Sequence, residues 1–179
     1  MIIALAGRRI DAAGAETPRF PSENIELVRG RLRDLFERNE AKALVSSAAC
    51  GADLLALQEA ETLGMRRRVV LPFDRRRFRE TSVVDRPGDW GNLYDRIVDR
   101  VEATGDLVIL SLGSDDANAF NAANGAILDE AMALWRELKL QTIGVLVWDG
   151  SPRGEEDLTR SFGDEARARG FSVIEIKTL

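Results

Sequence analysis

Three short turns built mainly from small residues each follow an apolar run of this chain. They span residues 6–9 (AGRR), 46–53 (SSAACGAD) and 111–114 (SLGS). In a parallel α/β sheet, such turns connect the carboxyl end of a strand to the next helix, and open sheets bind their ligands at that edge. Small side chains let backbone N–H groups and helix N-termini approach an anion. The pattern therefore predicts a site for a phosphate-bearing ligand.

The first turn combines a glycine with two arginines. Gly7 permits a tight turn directly after the apolar run, and Arg8 and Arg9 carry planar guanidinium groups that suit phosphate or carboxylate. The alternative is a solvated basic turn that pairs with Asp11 or Glu16. We favour the anion-binding interpretation, because arginines are unusual directly at this edge of a sheet.

The second turn has the composition of a phosphate cradle. Ser46, Ser47 and Gly51 could contribute hydroxyl and amide groups, although the segment matches neither the Walker motif nor G-x-G-x-x-G. Asp53 falls in the first turn of the next helix, where it could complement the helix dipole, hold a ribose hydroxyl or act as a carboxylate catalyst. Cys50 has no histidine partner anywhere in the chain and is interpreted as a small packing residue.

The third turn leads into a helix that carries two asparagines. Gly113 and Ser114 end the apolar run, and Asn121 and Asn124 lie three residues apart on one helix face. Asparagine is a poor residue for a helix interior, so the pair indicates a hydrogen-bonding task such as reading a base or ribose. Capping and turn chemistry remain an equally good explanation.

Other candidate groups lie near the sheet ends. Trp148 and Asp149 end an apolar run at the carboxyl edge, where the indole could stack on a base or, as we favour, plug the sheet. The arginines at 66–68 enter a strand at the amino edge and are expected to be solvated. Those at 75–77 leave the same strand at the carboxyl edge and could reach a polyphosphate, although a solvated cluster is favoured.

The composition excludes several classes of function. The 179-residue chain has no histidine, one cysteine and a formal net charge of −5. Without histidine, any chemistry falls to carboxylates, arginine, serine, asparagine or backbone amides. The negative charge argues against a nucleic-acid polymer as partner. No apolar run reaches the ~20 residues of a membrane span, and no signal peptide is recognisable, so we expect a cytoplasmic protein.

Strands and helices alternate along the chain, which predicts parallel pairing. Apolar runs predict six strands: 2–6, 43–46, 68–71, 106–112 (the most apolar), 142–148 and an edge strand at 171–176. Helical periodicity predicts helices at 23–39 (capped by Ser22), 51–63, after Asp89, 118–138 and 155–169 (polar and exposed), with irregular segments at 8–22 and 73–89. We therefore expect one α/β domain over residues 1–179. It should be a three-layer Rossmann-like fold, with a mostly parallel, doubly wound sheet of five to six strands and helices on both faces.

Several segments, taken in order, resemble a bacterial group within the SLOG (SMF/DprA–LOG) superfamily. The group's opening pattern, GHRID…PRFP, is similar to residues 6–11 (AGRRID) and 18–21 (PRFP), and further similarities cover nearly the whole chain. These are 47–53 (SAACGAD), 71–73 (LPF) with Phe78 and 82–83 (SV), 89–90 (DW), Asn124 with 127–129 (ILD), and 146–150 (LVWDG). The resemblance implies a Rossmann-like sheet that binds nucleotides or nucleotide-derived ligands, often as a sensor tied to signalling.

The chain departs from this pattern in ways that bear on function. Arg8 stands where the family more often has histidine, so any contact that depends on that histidine is lost. Gln58 stands where some relatives are expected to have glutamate, which weakens a catalytic interpretation. The related "lonely guy" phosphoribohydrolases carry P-G-G-x-G-T-x-x-E, which is missing here, so their activity is not transferred.

These observations lead us to expect a binding domain for a nucleotide or related phosphorylated ligand, with no cofactor and no metal. The residues expected to cradle phosphate are Gly7, Arg8, Ser46, Ser47, Gly51 and Gly113, and those expected to contact sugar or base are Asp53, Asn121 and Asn124. Arg9, Ser114 and Asp149 complete the predicted site. The loop 11–21, which holds Arg19, could close over it as a lid.

Two alternatives come from other functional classes. The chain could cleave or exchange an N-glycosidic bond, as a phosphoribohydrolase-like or deoxyribosyltransferase-like enzyme, with Asp53 or Glu59 as the carboxylate. It could instead be a protein-interaction module anchored by an exposed Trp90 or Trp148. Homodimer formation is left open by the sequence.

Overall fold

The computed structural model describes residues 1–113, 117–154 and 156–179. Its strands are β1 (Ile2–Gly7), β2 (Ala43–Ser46), β3 (Arg66–Leu71), β4 (Leu107–Ile109), β5 (Thr142–Trp148) and β6 (Ser172–Lys177). Its α-helices are α1 (Ile25–Arg38), α2 (Ala52–Thr62), α3 (Arg75–Ser82), α4 (Trp90–Ala103), α5 (Ala117–Leu138) and α6 (Leu158–Ala168), and a 3₁₀ turn at Ser22–Asn24 precedes α1.

All six strands form one parallel sheet, in the order β4-β3-β2-β1-β5-β6. The chain runs outward from β1 through β2 and β3 to β4, and then returns to the other side of β1 for β5 and β6. Connections therefore leave β1 and β5 in opposite directions, which makes their carboxyl ends the topological switch point where such sheets bind ligands. The predicted α/β, doubly wound architecture is confirmed.

Two apolar layers cover the sheet, and alternate residues of β1 face each of them. Ile3 and Leu5 belong to the layer formed with α1, α2, α3 and α4. Ile2 and Ala4 belong to the layer formed with α5 and α6. Because both faces of the central strands are covered, β1 and β2 are apolar without interruption rather than alternating. This packing fixes the ends of β1 and β5, on which the site is built.

The fourth strand is the largest departure from the predicted strands. The apolar run at 106–112 was expected to form a long strand, but β4 covers only Leu107–Ile109 and lies at the edge of the sheet. Its Ile109 is 38% exposed. Ser111 has a left-handed backbone (φ 55°), which ends the extended conformation. Apolar composition therefore did not indicate a central position.

A helix occupies part of the segment that was expected to be irregular. In α3, Asp74 caps the first turn by accepting a hydrogen bond from Arg77 N at 3.0 Å. Phe78 and Ser82 are the buried residues of this helix, so its apolar periodicity is weak. The cap was the signal that could have revealed it.

The boundaries of other elements also differ from the predicted ones. Ser22 was expected to cap α1, but it lies in the 3₁₀ turn, and α1 begins at Ile25 without a side-chain cap. α6 begins later than expected, because Asp157 caps it by accepting from two backbone N–H groups. α6 was expected to be exposed, yet it buries Phe162 and Ala166. Within the described ranges, no helix has the length and apolarity needed to cross a membrane.

Candidate functional site

A cavity of about 370 Å³ lies at the carboxyl edge of the sheet, beside the switch point. Its walls come from the end of β1 and the following turn, the turn before α2, and parts of α3, α5 and the segment that leads into α6. The lining residues are Leu5, Ala6, Gly7, Arg8, Arg9, Ser47, Ala49, Asp53, Phe78, Thr81, Ser82, Phe120, Ala123, Asn124, Ile127, Arg153, Glu156, Asp157, Leu158 and Thr159.

Two glycines allow the cavity's backbone walls to meet. A Cβ atom on Gly7 would lie 2.4 Å from the Cβ of Ala52 and 2.8 Å from the carbonyl oxygen of Val147. Gly51 has a φ of +97°, and its Cβ would lie 2.6 Å from the backbone nitrogen of Ile10. The start of α2 and the ends of β1 and β5 therefore pack more closely than any side chain would permit. Gly7 is part of the cavity lining, whereas Gly51 lies outside the lining and permits the close backbone packing that supports it.

Arg8 is a structural tie rather than an open anion-binding group. Its side chain is 4% exposed, and Nε and Nη1 donate to Asp149 at 2.9 Å and to Asp157 at 2.6 Å. Nη2 donates to the carbonyl oxygen of Ser151 at 2.6 Å. The guanidinium joins β1 to the connection between β5 and α6, so the expected phosphate contact from Arg8 is not available in this arrangement.

The two carboxylates that hold Arg8 are buried and ionised. Burial by itself would raise the pKa of Asp149, but hydrogen bonds from Arg8 and Ser151 outweigh it and lower that pKa. Burial likewise opposes ionisation of Asp157, and bonds from the backbone N–H groups of Arg160 and Arg153 and from Arg8 lower its pKa. Asp149 was expected among the ligand contacts. It is instead committed to arginines of its own chain.

The loop expected to act as a lid is anchored. Arg19 donates to Asp149 at 2.8 Å and to the carbonyl oxygen of Ser151 at 2.9 Å. Asp11 accepts from the backbone N–H groups of Arg19 and Phe20, and the Phe20 side chain is fully buried. No residue of the loop 11–21 is part of the cavity lining. Arg19 therefore supports Asp149 from outside the cavity.

Asp53 is an acidic residue of the lining with one buried oxygen that lacks a hydrogen-bond partner among the described residues. Its Oδ2 accepts from Ala49 N at 3.2 Å, whereas its buried Oδ1 has no hydrogen-bond partner in the part of the chain that the structure describes. Burial raises the pKa of Asp53 to about 7, against the lowering effects of the Ala49 hydrogen bond and the charge of Arg9. A carboxyl whose only role was to complement the helix dipole would stabilise the helix most in its ionised form. Burial disfavours that ionised form here.

Two further arginines line the cavity. Arg9 donates to both carboxylate oxygens of Asp85 at 2.9–3.0 Å and to the carbonyl oxygen of Thr81 at 3.1 Å. Arg153 is exposed, and its guanidinium forms no hydrogen bond or ion pair with a described residue. Desolvation, followed by the charges of Arg8 and Arg19, lowers its pKa. Arg153 was not among the residues predicted for the site, since nothing in a loop sequence shows which arginine lacks a carboxylate partner.

The remaining wall of the cavity is apolar. Phe78 and Phe120 line it together with Ala123 and Ile127. Phe73 packs against both phenylalanines, with ring centroids 6.0 and 5.9 Å away, and so fixes their positions. Neither aromatic residue was predicted for the site: Phe120 follows the spacing of ordinary core positions of a helix, and Phe78 lies in a segment that was expected to be irregular.

Some predicted site residues lie elsewhere. Asn124 lines the cavity, but its Nδ2 donates to the carbonyl oxygen of Leu158 at 2.9 Å and links α5 to α6. Asn121 is exposed outside the lining. Ser47 is in the lining, whereas the Ser46 hydroxyl donates to the Ser47 carbonyl oxygen.

Gly113 and Ser114, predicted for the third turn, do not contribute to the described lining. Gly113 is exposed, and its carbonyl oxygen accepts from Arg77 at 3.1 Å. Ser114 lies outside the described residues. The phosphate cradle expected from this turn therefore has no counterpart among the described residues of the cavity.

Glu59, the other candidate catalytic carboxylate, is buried between helices. It is 1% exposed and receives hydrogen bonds from Arg29 at 3.2 Å and Arg33 at 2.9 Å. It is absent from the cavity lining. This placement on the side of α2 that faces α1 leaves Asp53 as the candidate carboxylate.

The two tryptophans considered as interaction anchors are both buried. Trp90 is 6% exposed and donates to the carbonyl oxygen of Pro87. Trp148 is 8% exposed, donates to Glu175, and has the cationic groups of Arg8 and Lys177 near its ring. Trp148 therefore plugs the end of the sheet, and neither indole is available as an exposed anchor.

Members of both arginine triplets form ion pairs with carboxylates of their own chain. β3 begins at Arg66, two residues before the predicted start at Arg68, and Arg66 and Arg68 both donate to the buried Asp106. Their expected solvated state is therefore wrong. At the carboxyl edge, Arg75 pairs with Asp99 and Glu102 and does not reach the cavity.

Among the described residues, no group of three or more acidic or cysteine side chains could hold a metal ion. Neither a scan against models of known protein families nor a search of curated proteins gave a match to this chain. We therefore infer function from the cavity itself.

Proposed function

We propose that the carboxyl-edge cavity binds a nucleotide or a nucleotide-derived ligand that carries a phosphate. The observation that carries this proposal is that one lining combines an aromatic wall with a guanidinium and a carboxyl oxygen that have no partner among the described residues. Phe78 and Phe120 offer a surface for a base, Arg153 offers donors to a phosphate, and Asp53 offers an acceptor to a hydroxyl or N–H group. Few other ligand classes need all three.

The volume of the cavity favours a small member of this class. Ligand pockets in proteins span about 300–1,000 Å³, and this one, at about 370 Å³, lies near the lower limit. We therefore expect a mononucleotide to fit better than a dinucleotide. Its phosphate is assigned to Arg153 rather than to Arg8, because the donors of Arg8 are already occupied by Asp149, Asp157 and Ser151.

Calorimetric titration with ribonucleoside 5′-monophosphates and with cyclic and linear dinucleotides tests the proposal. Hydrogen bonds to charged groups contribute about 1.5–3 kcal/mol, so Arg153→Ala should weaken mononucleotide binding by about tenfold or more. The matched control is Arg38→Ala, which removes an arginine that is 81% exposed on α1. Absence of binding across the panel, or equal affinity of Arg153→Ala and wild type, would contradict the proposal.

A second candidate function is cleavage or transfer at an N-glycosidic bond. The observation that favours it is Asp53, because a buried carboxyl with a pKa near 7 can exchange protons at neutral pH. Incubation with nucleoside monophosphates, followed by chromatography for free base, distinguishes turnover from binding. Turnover that persists in Asp53→Asn would remove this carboxylate from the reaction.

A further inference from the structure

Asp53 Oδ1 is an unusual atom for a folded protein. Nearly all buried polar atoms have a hydrogen-bond partner, and one that has none calls for an explanation. Asp53 is 6% exposed and belongs to the lining of the candidate site, and its buried Oδ1 has no hydrogen-bond partner among the described residues. The unpartnered oxygen and the cavity are independent observations that point to the same place.

No charged neighbour satisfies this carboxyl. The charge of Arg9, in the turn after β1, lowers the pKa of Asp53, but the Arg9 guanidinium donates its hydrogen bonds to Asp85 and Thr81. On the segment leading into α6, Asp157 is held by Arg8. The titratable and charged groups of the lining and of the adjoining turn are Arg8, Arg9, Arg153, Glu156, Asp157 and the neutral thiol of Cys50. None of them donates a hydrogen bond to Asp53 in the described part of the chain.

We infer that Asp53 Oδ1 accepts a hydrogen bond from a hydroxyl or N–H group of the ligand, and that this contact couples ligand binding to release of a proton from Asp53. The inference rests on the proposed function, because it assigns a specific task to one residue of that site. A neutral carboxyl still accepts hydrogen bonds, but a donor stabilises the ionised form more strongly, so binding of the donor lowers the pKa of the carboxyl. The proton that leaves Oδ1 or Oδ2 goes to solvent, and no covalent bond of the ligand changes.

The coupling has a definite sign. Burial raises the pKa of Asp53 to about 7 in the free protein, so about half of the molecules carry the proton at neutral pH. Lowering the pH increases the fraction of molecules that must lose a proton before the stronger contact to the ionised carboxylate can form. Affinity should therefore be about tenfold lower at about pH 6 than at about pH 8.

The test is calorimetric titration of wild type and Asp53→Asn with ribonucleoside 5′-monophosphates at about pH 6 and about pH 8. The phosphate group itself titrates near pH 6, but its contribution is the same for both proteins. The ratio of wild-type to variant affinity therefore isolates Asp53, and it should rise by about tenfold between the two pH values. Asp34→Asn, which changes an aspartate that is 64% exposed on α1, is the matched control and should follow wild type.

A second measurement does not depend on any variant. Repeating the wild-type titration near pH 7 in buffers of different ionisation enthalpy gives the number of protons released. We expect a release of about half a proton beyond the amount that the phosphate accounts for. An affinity ratio that does not change with pH, or no extra proton release, overturns this inference while leaving the proposed function intact. If no monophosphate binds at either pH, the proposed function fails and the inference fails with it.

Discussion

Replacing Arg8 by alanine should destabilise the fold more than it alters ligand contacts. The substitution leaves the carboxylates of Asp149 and Asp157, whose side chains are 4% and 0% exposed, without their shared guanidinium. Removing one partner of a buried ion pair costs about 3–5 kcal/mol. Asp149 would keep Arg19 and Ser151, and Asp157 would keep backbone N–H donors, so we expect the lower end, about 3 kcal/mol.

Urea unfolding followed by far-UV circular dichroism measures this loss. Tryptophan fluorescence is less suitable, because the Arg8 guanidinium lies 5.6 Å from the centre of the Trp148 ring and its removal changes the signal directly. Arg38→Ala is the matched control: its side chain is 81% exposed, its distance to Asp34 is 3.7 Å, and its loss should cost less than about 0.5 kcal/mol.

The destabilisation should depend on pH. The folded-state pKa values of Asp149 and Asp157 are depressed, so the stability that they contribute is present above their ordinary value of 3.8 and is lost as pH falls through the folded-state values. The difference between wild type and Arg8→Ala should therefore shrink in acid. A cost below about 1 kcal/mol at neutral pH, or a cost that grows in acid, would refute the assignment of Arg8 as a structural tie.

Three further predictions concern stability, each measured by the same unfolding assay. Gly51→Ala should lower the free energy of unfolding by at least about 2 kcal/mol, because Gly51 has a φ of +97° and an added Cβ would meet backbone atoms. Gly30→Ala, which has open space around it in α1, should raise the free energy of unfolding by about 0.5–1 kcal/mol. Equal effects of the two substitutions would contradict this account. The free energy of unfolding of Asp53→Asn, relative to that of wild type, should rise between about pH 4 and about pH 7 and stay constant above that range. The reason is that burial raises the folded-state pKa of Asp53, so wild type loses stability over this pH range and the variant does not. A difference that does not change with pH would contradict the burial of this carboxyl. Asp106→Asn should cost about 2 kcal/mol or more, because two arginines of β3 share this buried carboxylate, and a loss under about 0.5 kcal/mol would be inconsistent with that role.

The fold was predictable from sequence because strand burial leaves a direct trace in composition. Residues covered on both faces of a parallel sheet are apolar without interruption, as in β1 and β2. The edge position of β4 was not predictable from the same signal, since strand order depends on long-range pairing rather than on local composition. The α3 helix was missed because Asp74 and Phe78 gave a cap and a single buried anchor rather than a periodic face.

The position of the cavity was more predictable than the contacts of the residues that line it. The turns after β1 and β2 do meet at one cavity, as expected from parallel topology. The roles of arginines could not be predicted in this way, because a guanidinium is equally suited to a ligand phosphate and to a carboxylate of its own chain. Arg8 donates hydrogen bonds to Asp149 and Asp157, which are more than 140 residues away along the chain. Arg153 has no carboxylate partner among the described residues.

The most direct test of the central claim is an amide NMR titration of the ¹⁵N-labelled protein with ribonucleoside 5′-monophosphates. The proposed site predicts saturable shifts at residues of the carboxyl-edge cavity, with Gly7, Ser47 and Asp53 among them. A second cavity of about 410 Å³ at the amino edge, lined in part by Trp135 and Phe171, serves as an internal reference and should not respond. Shifts confined to that amino-edge cavity, or no saturable shift anywhere, would contradict the claim that the carboxyl edge is the ligand site.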